Sequence, residues 1–281
     1  MVAPLAPGAR ARVAGLAAGE TTVKLRVATY NVHRCRGIDG RLRPDRIVHV
    51  LREVDADIAA LQEVVSSEGE GEGNQARYIG ETLGLHWALG ENRKLKGAAY
   101  GNVVLSRFPL RVVKNHDISV MGRERRGAFH TDVLVGPEDF VHVFNIHLGT
   151  AFVERRHQGR RLSERGSGIL HDAGLTGPKI VLGDFNEWTS GLATRLLGSH
   201  MQSVDVQKHL RRRRTYPGFL PILHLDHIYY DGPLELEKLT LHRTRKSVVA
   251  SDHLPLVADF KYARGIARPR ETPRTELVRE G

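Results

Sequence analysis

Apolar and polar positions alternate from Val23 to Tyr30, the period of a strand with one buried face. Asn31-Val32-His33-Arg34 close that run, and a turn follows between Gly37 and Gly40. From Pro44 the period changes: Ile47, Val48, Leu51 and Val54 share one helical face behind a proline suited to a first helical turn. The stretch Asp57-Ile58-Ala59-Ala60-Leu61-Gln62-Glu63 then predicts a buried strand that delivers Glu63 at its carboxyl end. Strand, helix and strand in that order predict a crossover unit with its polar groups gathered at one edge.

Residues 66–73 form an acidic, glycine-rich loop whose glutamates lack the spacing of a calcium loop. A helix is expected over 75–83, stopped by Gly84. Strand patterns recur over 100–106, 110–113, 128–135 and 141–147, the last ending at His147. No helix separates these strands, so hairpins must join them and the sheet must be mixed. The longest helical stretch is 154–175, carrying Arg155, Arg156, Arg160, Arg161 and Arg165 on what reads as a solvated face. Residues 179–182 predict a short buried strand, after which Gly183 lets the backbone bend. A helix near 192–197 and strands over 225–230, near 239–242 and into 256 complete the pattern. The expected organisation is one α/β domain over 22–262, with a flexible leader at 1–21 and a disordered arginine-rich tail at 263–281.

Charge adds a partner class. The formal net charge is +10 and the pI about 10.0, with most of the excess inside 22–262, which favours a polyanion such as nucleic acid, anionic lipid or a phosphorylated metabolite. The run Arg211 to Arg214, in a loop just before Tyr216-Pro217-Gly218, can meet substrate phosphate or water alone. A single cysteine, Cys35, excludes an internal disulfide framework and a cysteine-rich zinc site. No apolar run approaches the length of a membrane span. The expectation is a cytoplasmic monomer without a stable protein partner, with peripheral membrane association left open.

The chemistry gathers at strand ends. Asp184 and Asn186, two apart after Gly183, leave the strand pointing the same way. A carboxylate that orients water or metal and a carboxamide that donates to developing charge suit a reacting phosphate. Taken singly, each feature has a plainer account: Gly-Asp-x-Asn as an Asx turn, His147 as a satisfied buried histidine, Glu63 as half a salt bridge, Asp252-His253 as a turn cap. Their number and order change that reading.

Six segments resemble the endonuclease/exonuclease/phosphatase superfamily: Thr29-Tyr30-Asn31, Leu61-Gln62-Glu63, Asn145-Ile146-His147, Gly183-Asp184-Phe185-Asn186, Leu225-Asp226-His227 and Ser251-Asp252-His253. The resemblance implies a four-layer sandwich, two packed mixed β-sheets flanked by helices, with a cleft at one edge of both sheets. It implies Glu63 as the principal metal ligand beside Asn31, with Asp252 contributing to the metal site, and a donor set that suits Mg²⁺ or Mn²⁺. It further implies that His253 contacts the scissile phosphate and Asp226 orients it. Asp184 would position or deprotonate water, Asn186 stabilise the pentacovalent state and His147 donate to a non-bridging oxygen. The implied function is a metal-dependent phosphodiesterase or nuclease using in-line attack of water on phosphorus. Abasic-site repair branches put tyrosine where this chain has His147, whereas sphingomyelinase-like branches share the histidine. A phospholipid headgroup hydrolase and a catalytically silent phosphate-binding module stay open beside the nuclease.

Overall fold

The computed structural model describes residues 22–263 apart from 70, 138, 165–167, 173–174, 188–190, 205–214 and 221. The expected leader, the tail beyond Ala263, Arg165 and the run Arg211 to Arg214 lie outside the described residues. In chain order, β1 (Thr22–Asn31), α1 (Pro44–Val54), β2 (Ile58–Ser66), α2 (Gln75–Leu83), β3 (His86–Leu95) and β4 (Ala98–Ser106) build most of a first sheet. A second follows from β5 (Leu110–Asp117), β6 (Gly127–Leu134), β7 (Phe140–His147), α3 (Phe152–Ser163), β8 (Lys179–Asp184), α4 (Leu192–Gly198), β9 (Gln202–Ser203) and β10 (Asp226–Asp231). The chain then returns to the first sheet through β11 (Leu234–Leu241), α5 (Arg245–Ala250) and β12 (Leu256–Ala263).

Among the described residues each sheet has six strands, in the orders β11-β12-β1-β2-β4-β3 and β5-β6-β7-β8-β10-β9. Both follow one pattern: a central parallel pair, β1 with β2 and β7 with β8, flanked by antiparallel neighbours. A parallel pair needs a crossover, and α1 and α3 supply it. Both pairs therefore deliver their carboxyl ends to a common edge. There Tyr30 stands beside Leu61, and His147 beside Asp184.

Alternation explains the layers. On β1 and β8, Val23, Leu25, Val27, Ile180 and Leu182 join Ile58, Phe129, Val143 and Phe260 in the core between the sheets. Tyr30 and Ala28 face the other way, packing with Ile47, Val48, Leu51, Val54 and Ile79 beneath α1 and α2. Val181, Phe144 and Ile146 meet Leu162, Ala193 and Leu197 beneath α3 and α4. Helix, sheet, sheet and helix are thus stacked, as the resemblance implies.

A polar seam crosses the central core. Gln62 Nε2 donates to Asn145 Oδ1 at 2.8 Å and to Thr29 Oγ1 at 3.1 Å. Asn145 Nδ2 donates to the carbonyls of Leu61 at 2.9 Å and Val103 at 2.8 Å. Side chains of the second sheet thereby satisfy backbone groups of the first, which sets the register between them.

Several local expectations change. The helix expected over 154–175 is α3, Phe152–Ser163, because Glu164 and Gly168 take extended dihedrals before a short 3-10 turn at Ile169–His171. β3 and α5 carry no clear sequence period: β3 is an edge strand bonded only to β4, its second half polar and half-exposed. β5 runs on from 113 to Asp117, β11 begins at Leu234 rather than near 239, and β12 extends through Ala263.

Candidate functional site

The common edge collects the polar strand ends into one hydrogen-bonded cluster. Asn31 Nδ2 donates to Asp184 Oδ2 at 3.0 Å and to Glu63 Oε1 at 3.3 Å, joining the two sheets. His253 Nδ1 donates to Asp226 Oδ2 at 3.0 Å, and its Nε2 lies 3.7 Å from Asp184 Oδ2. His147 Nε2 approaches the same oxygen at 3.6 Å. Asp184 is therefore ringed by two imidazoles and a carboxamide.

Local backbone geometry aims these groups. Glu63 does not end its strand: it sits at φ 60° in a bulge, where the pairing of β2 with β4 slips between Leu61 and Val64. Gly183 has φ 148°, and a Cβ there would stand 1.8 Å from the carbonyl oxygen of Ile146, so only glycine allows β8 this close to β7. Asn186 is held at φ 50°, its amide N–H donating to Asp184 Oδ1 at 2.9 Å and its Nδ2 to the Leu148 carbonyl at 2.9 Å. Left-handed non-glycine residues concentrated at one edge are the strain that functional sites carry.

Electrostatics separate the roles. Burial lifts the Asp184 carboxyl to about 6, with His253 opposing and Asp226 adding to the rise. Burial alone would lower His253, yet Asp226 and Asp184 outweigh it and raise the imidazole to about 10, so this ring is a cation at neutral pH. Burial, then the charges of Arg126 and His253, push His147 well below the usual histidine range, leaving it neutral. Arg126 Nη1 lies 3.0 Å from His147 Nδ1 and can only donate, so Nδ1 is the acceptor and the ring proton sits on Nε2. That N–H faces Asp184 and the cleft.

Asp252 pairs with His33. Its Oδ1 lies 3.3 Å from His33 Nδ1, and although burial would raise it, His33 and His253 hold its carboxyl below the usual range. Arg34 brings Nε to 3.8 Å from Glu63 Oε2. The ring of Tyr216 lies 4.9 Å from that of His253, between centroids. Arg126, His33, Arg34 and Tyr216 are the neighbours that sequence reasoning missed. Only His33 and Arg34, following the Thr29-Tyr30-Asn31 strand end directly, had a positional signal.

Glu63 and Asn31 fit a hard divalent cation, which keeps several waters and needs only one or two carboxylates from the protein. As placed, Asn31 turns its NH₂ toward Glu63 and Asp184, while its Oδ1 accepts from His33 N at 3.0 Å.

Known proteins resemble this chain in sequence or in fold. The uncharacterized protein YbhP of Escherichia coli K12 is 29% identical over 249 residues, covering 84% of this chain and 95% of its own. An endonuclease/exonuclease/phosphatase from Beutenbergia cavernae superposes with TM-score 0.69 at 22% identity, over 85% of this chain and 72% of that one. A truncated TDP2 from Caenorhabditis elegans gives 0.64 at 21% identity, over 84% and 97%. The family model described as Endonuclease/Exonuclease/phosphatase family matches residues 28–253, from the first core strand to the last histidine of the cluster, and the chain belongs to that family.

Proposed function

We propose that this chain is a Mg²⁺-dependent phosphodiesterase, within a family that acts generally as hydrolases of phosphoester bonds. The observation that carries the reading is Asp184 Oδ2 lying 3.6 Å from His147 Nε2 and 3.7 Å from His253 Nε2. A phosphate oxygen entering there takes both N–H donors, which releases the carboxylate to orient water and accept its proton. Asp226 holds His253 in register, and Asn186 retains a second amide N–H for charge that grows on phosphorus. Glu63 and Asn31 would hold Mg²⁺, or Mn²⁺ in its place, with Asp252 nearby; bound there, the ion neutralises charge on the phosphoryl oxygens.

The test is hydrolysis of an aryl phosphodiester, plasmid DNA, single-stranded RNA and phospholipid vesicles, with Mg²⁺ and with chelator. Turnover abolished by chelator supports the reading. Turnover indifferent to chelator, or absent on every substrate in folded protein, overturns it.

One observation favours a phospholipid headgroup over a nucleic acid. Among the described residues, every exposed large hydrophobic except Val112, Val113, Leu134 and Val249 sits on a loop or helix start at the same edge as the cluster. Phe152, Val153, Phe219, Leu220 and Ile222 are each more than half exposed. A basic protein with apolar side chains around its cleft suits an anionic bilayer. Among the described residues no helix is long and apolar enough to cross a membrane, so the contact would be peripheral. Replacing Phe219 and Leu220 by Ser is expected to abolish turnover on anionic vesicles and leave the aryl diester untouched. Equal losses on both substrates would remove this second reading.

A further inference from the structure

The outer face of the second sheet holds another cluster of metal-ligating groups, away from the cleft. Asp132 on β6 stands opposite His142 on β7, and His130, two positions along β6, shares their face. All three are buried, His142 against the carbonyl of Thr176. His142 lies five positions upstream of His147 on the same strand, about 16 Å along it, and on the opposite face.

The contacts at His142 call for either a second ring proton or a metal ion. Its Nε2 lies 3.1 Å from the Thr176 carbonyl, which only accepts, so Nε2 carries the proton. Nδ1 faces Asp132 Oδ1 at 2.7 Å and His130 Nε2 at 3.1 Å. His130 Nε2 and Asp132 Oδ1 are in turn 3.2 Å apart. Two nitrogens and one oxygen converge, joined by ring protons in metal-free protein and each with an electron pair to share once a metal displaces those protons. The triangle they form has a circumradius of about 1.7 Å, shorter than a zinc–nitrogen or zinc–oxygen distance of about 2.0–2.2 Å, so one ion just off its plane reaches all three.

The surroundings match a metal-bound histidine pair. A backbone carbonyl on the far ring nitrogen is the usual orienting partner of a ligating imidazole. Arg111 Nε binds the other carboxylate oxygen, Asp132 Oδ2, at 3.1 Å, leaving Oδ1 for the ion. His116 stacks beside His130 with ring centroids 6.1 Å apart, and its buried Nε2 has no hydrogen-bond partner. The layer holds more imidazole nitrogen than its protein donors and acceptors use.

We propose that His130, Asp132 and His142 form a structural site for a first-row transition-metal dication of the zinc type, with water completing its coordination. The site clamps β6 to β7 and fastens the segment around Thr176 to both. Imidazole and carboxylate suit zinc better than Mg²⁺, which demands oxygen ligands, so the two centres select different ions.

The test uses full-length protein stripped by chelator, loaded with Zn²⁺, desalted and assayed for bound metal. Wild type and Glu63→Gln are each expected to retain one more zinc per chain than His142→Gln. Zinc should raise the melting temperature of wild type and not of His142→Gln, whose Mg²⁺-dependent hydrolysis stays at the wild-type rate. Equal zinc content in wild type and folded His142→Gln overturns the proposal, since protons alone then satisfy the cluster. Should His142→Gln not fold, zinc X-ray absorption on the Glu63→Gln/His253→Ala double variant decides. Two imidazoles in the coordination sphere support the site; oxygen ligands only, or no bound zinc, overturn it.

Discussion

Asp184 and Asp132 are both 2% exposed, and their surroundings treat the same charge in opposite ways. At Asp184 burial raises the carboxyl to about 6 and the facing Asp226 reinforces it, with His253 only partly compensating. At Asp132 burial pulls in the same direction, but hydrogen bonds from His130, His142 and Arg111 overcome it and hold the group well below the carboxylate range. Position on the sheet makes the difference. Asp184 ends its strand directly opposite a second aspartate, Asp226, across β8 and β10. Asp132 lies mid-strand, with histidines on one side and an arginine on the other. A carboxylate kept uneasy at a strand end is available to react, whereas a compensated one serves as a clamp.

The sharpest way to break that contrast is to neutralise each aspartate, reading stability in metal-free protein and turnover with Mg²⁺ added. Asp132→Asn is expected to cost about 3–5 kcal/mol in urea unfolding, the usual penalty for breaking a buried ion pair, while the folded fraction keeps its hydrolytic rate. Asp184→Asn is expected to remove hydrolysis yet stabilise the fold by ~1–3 kcal/mol, because an unfavourable buried charge disappears. If both variants lose stability alike, the two environments do not differ as described.

The pH dependence carries opposite signs. Asp132 has a native value below its unfolded value of about 3.9, so its contribution is complete above about pH 4–5 and is lost as pH falls. The stability gap between wild type and Asp132→Asn should narrow on acidification. Asp184, at about 6 in the native state, contributes stability only below about pH 4 and loses it as pH rises through 6. Wild type should therefore weaken relative to Asp184→Asn between those limits, as read from unfolding midpoints across the range.

Within the cleft, His253→Ala and Glu63→Gln are each expected to lower turnover by ~10²–10³-fold, the usual loss for one group that stabilises charge in the transition state. Arg126→Gln touches no substrate in this scheme and acts through the His147 proton. A fall of about 10–100-fold, the scale for removing an orienting partner, is expected in kcat with KM little changed. A drop confined to KM would make Arg126 a substrate contact instead.

A more exposed carboxylate, paired with a lysine and a histidine, supplies the baseline. Glu53 on α1 meets Lys246 Nζ at 2.7 Å and His242 Nε2 at 3.2 Å, and these bonds, with Lys246 first, hold its carboxyl at about 2. Its side chain is 30% exposed, so water screens the pair. Glu53→Gln should cost under about 1 kcal/mol at neutral pH, an effect that vanishes in acid and shrinks with added salt.

Asn31, His147 and Asp184 were legible as strand ends, since the hydrophobic runs before them mark where each buried strand stops, while Asp226 and His253 were legible from the apolar runs that follow them. Glu63 was legible as a group but not as a bulge, because a register slip depends on the partner strand β4. The same limit hid β3, whose edge position leaves its second half polar, and the end of α3, where extended Glu164 and Gly168 stop a pattern that otherwise reads as continuing.

The sequence by itself determined the alternation of strands and crossovers, the mixed character of the sheets and the residue types at their ends. These follow from side-chain period and turn chemistry within a few residues of each position. Only the tertiary structure decided that two sheets share one order around a parallel pair, that Arg126 sets the His147 tautomer, and that Asp252 faces His33. It also decided that His130, Asp132 and His142, unremarkable in two alternating strands, converge on one point. Each of these rests on contacts between residues far apart in the chain, where distance and burial, rather than local pattern, fix the energy of a charge or a proton.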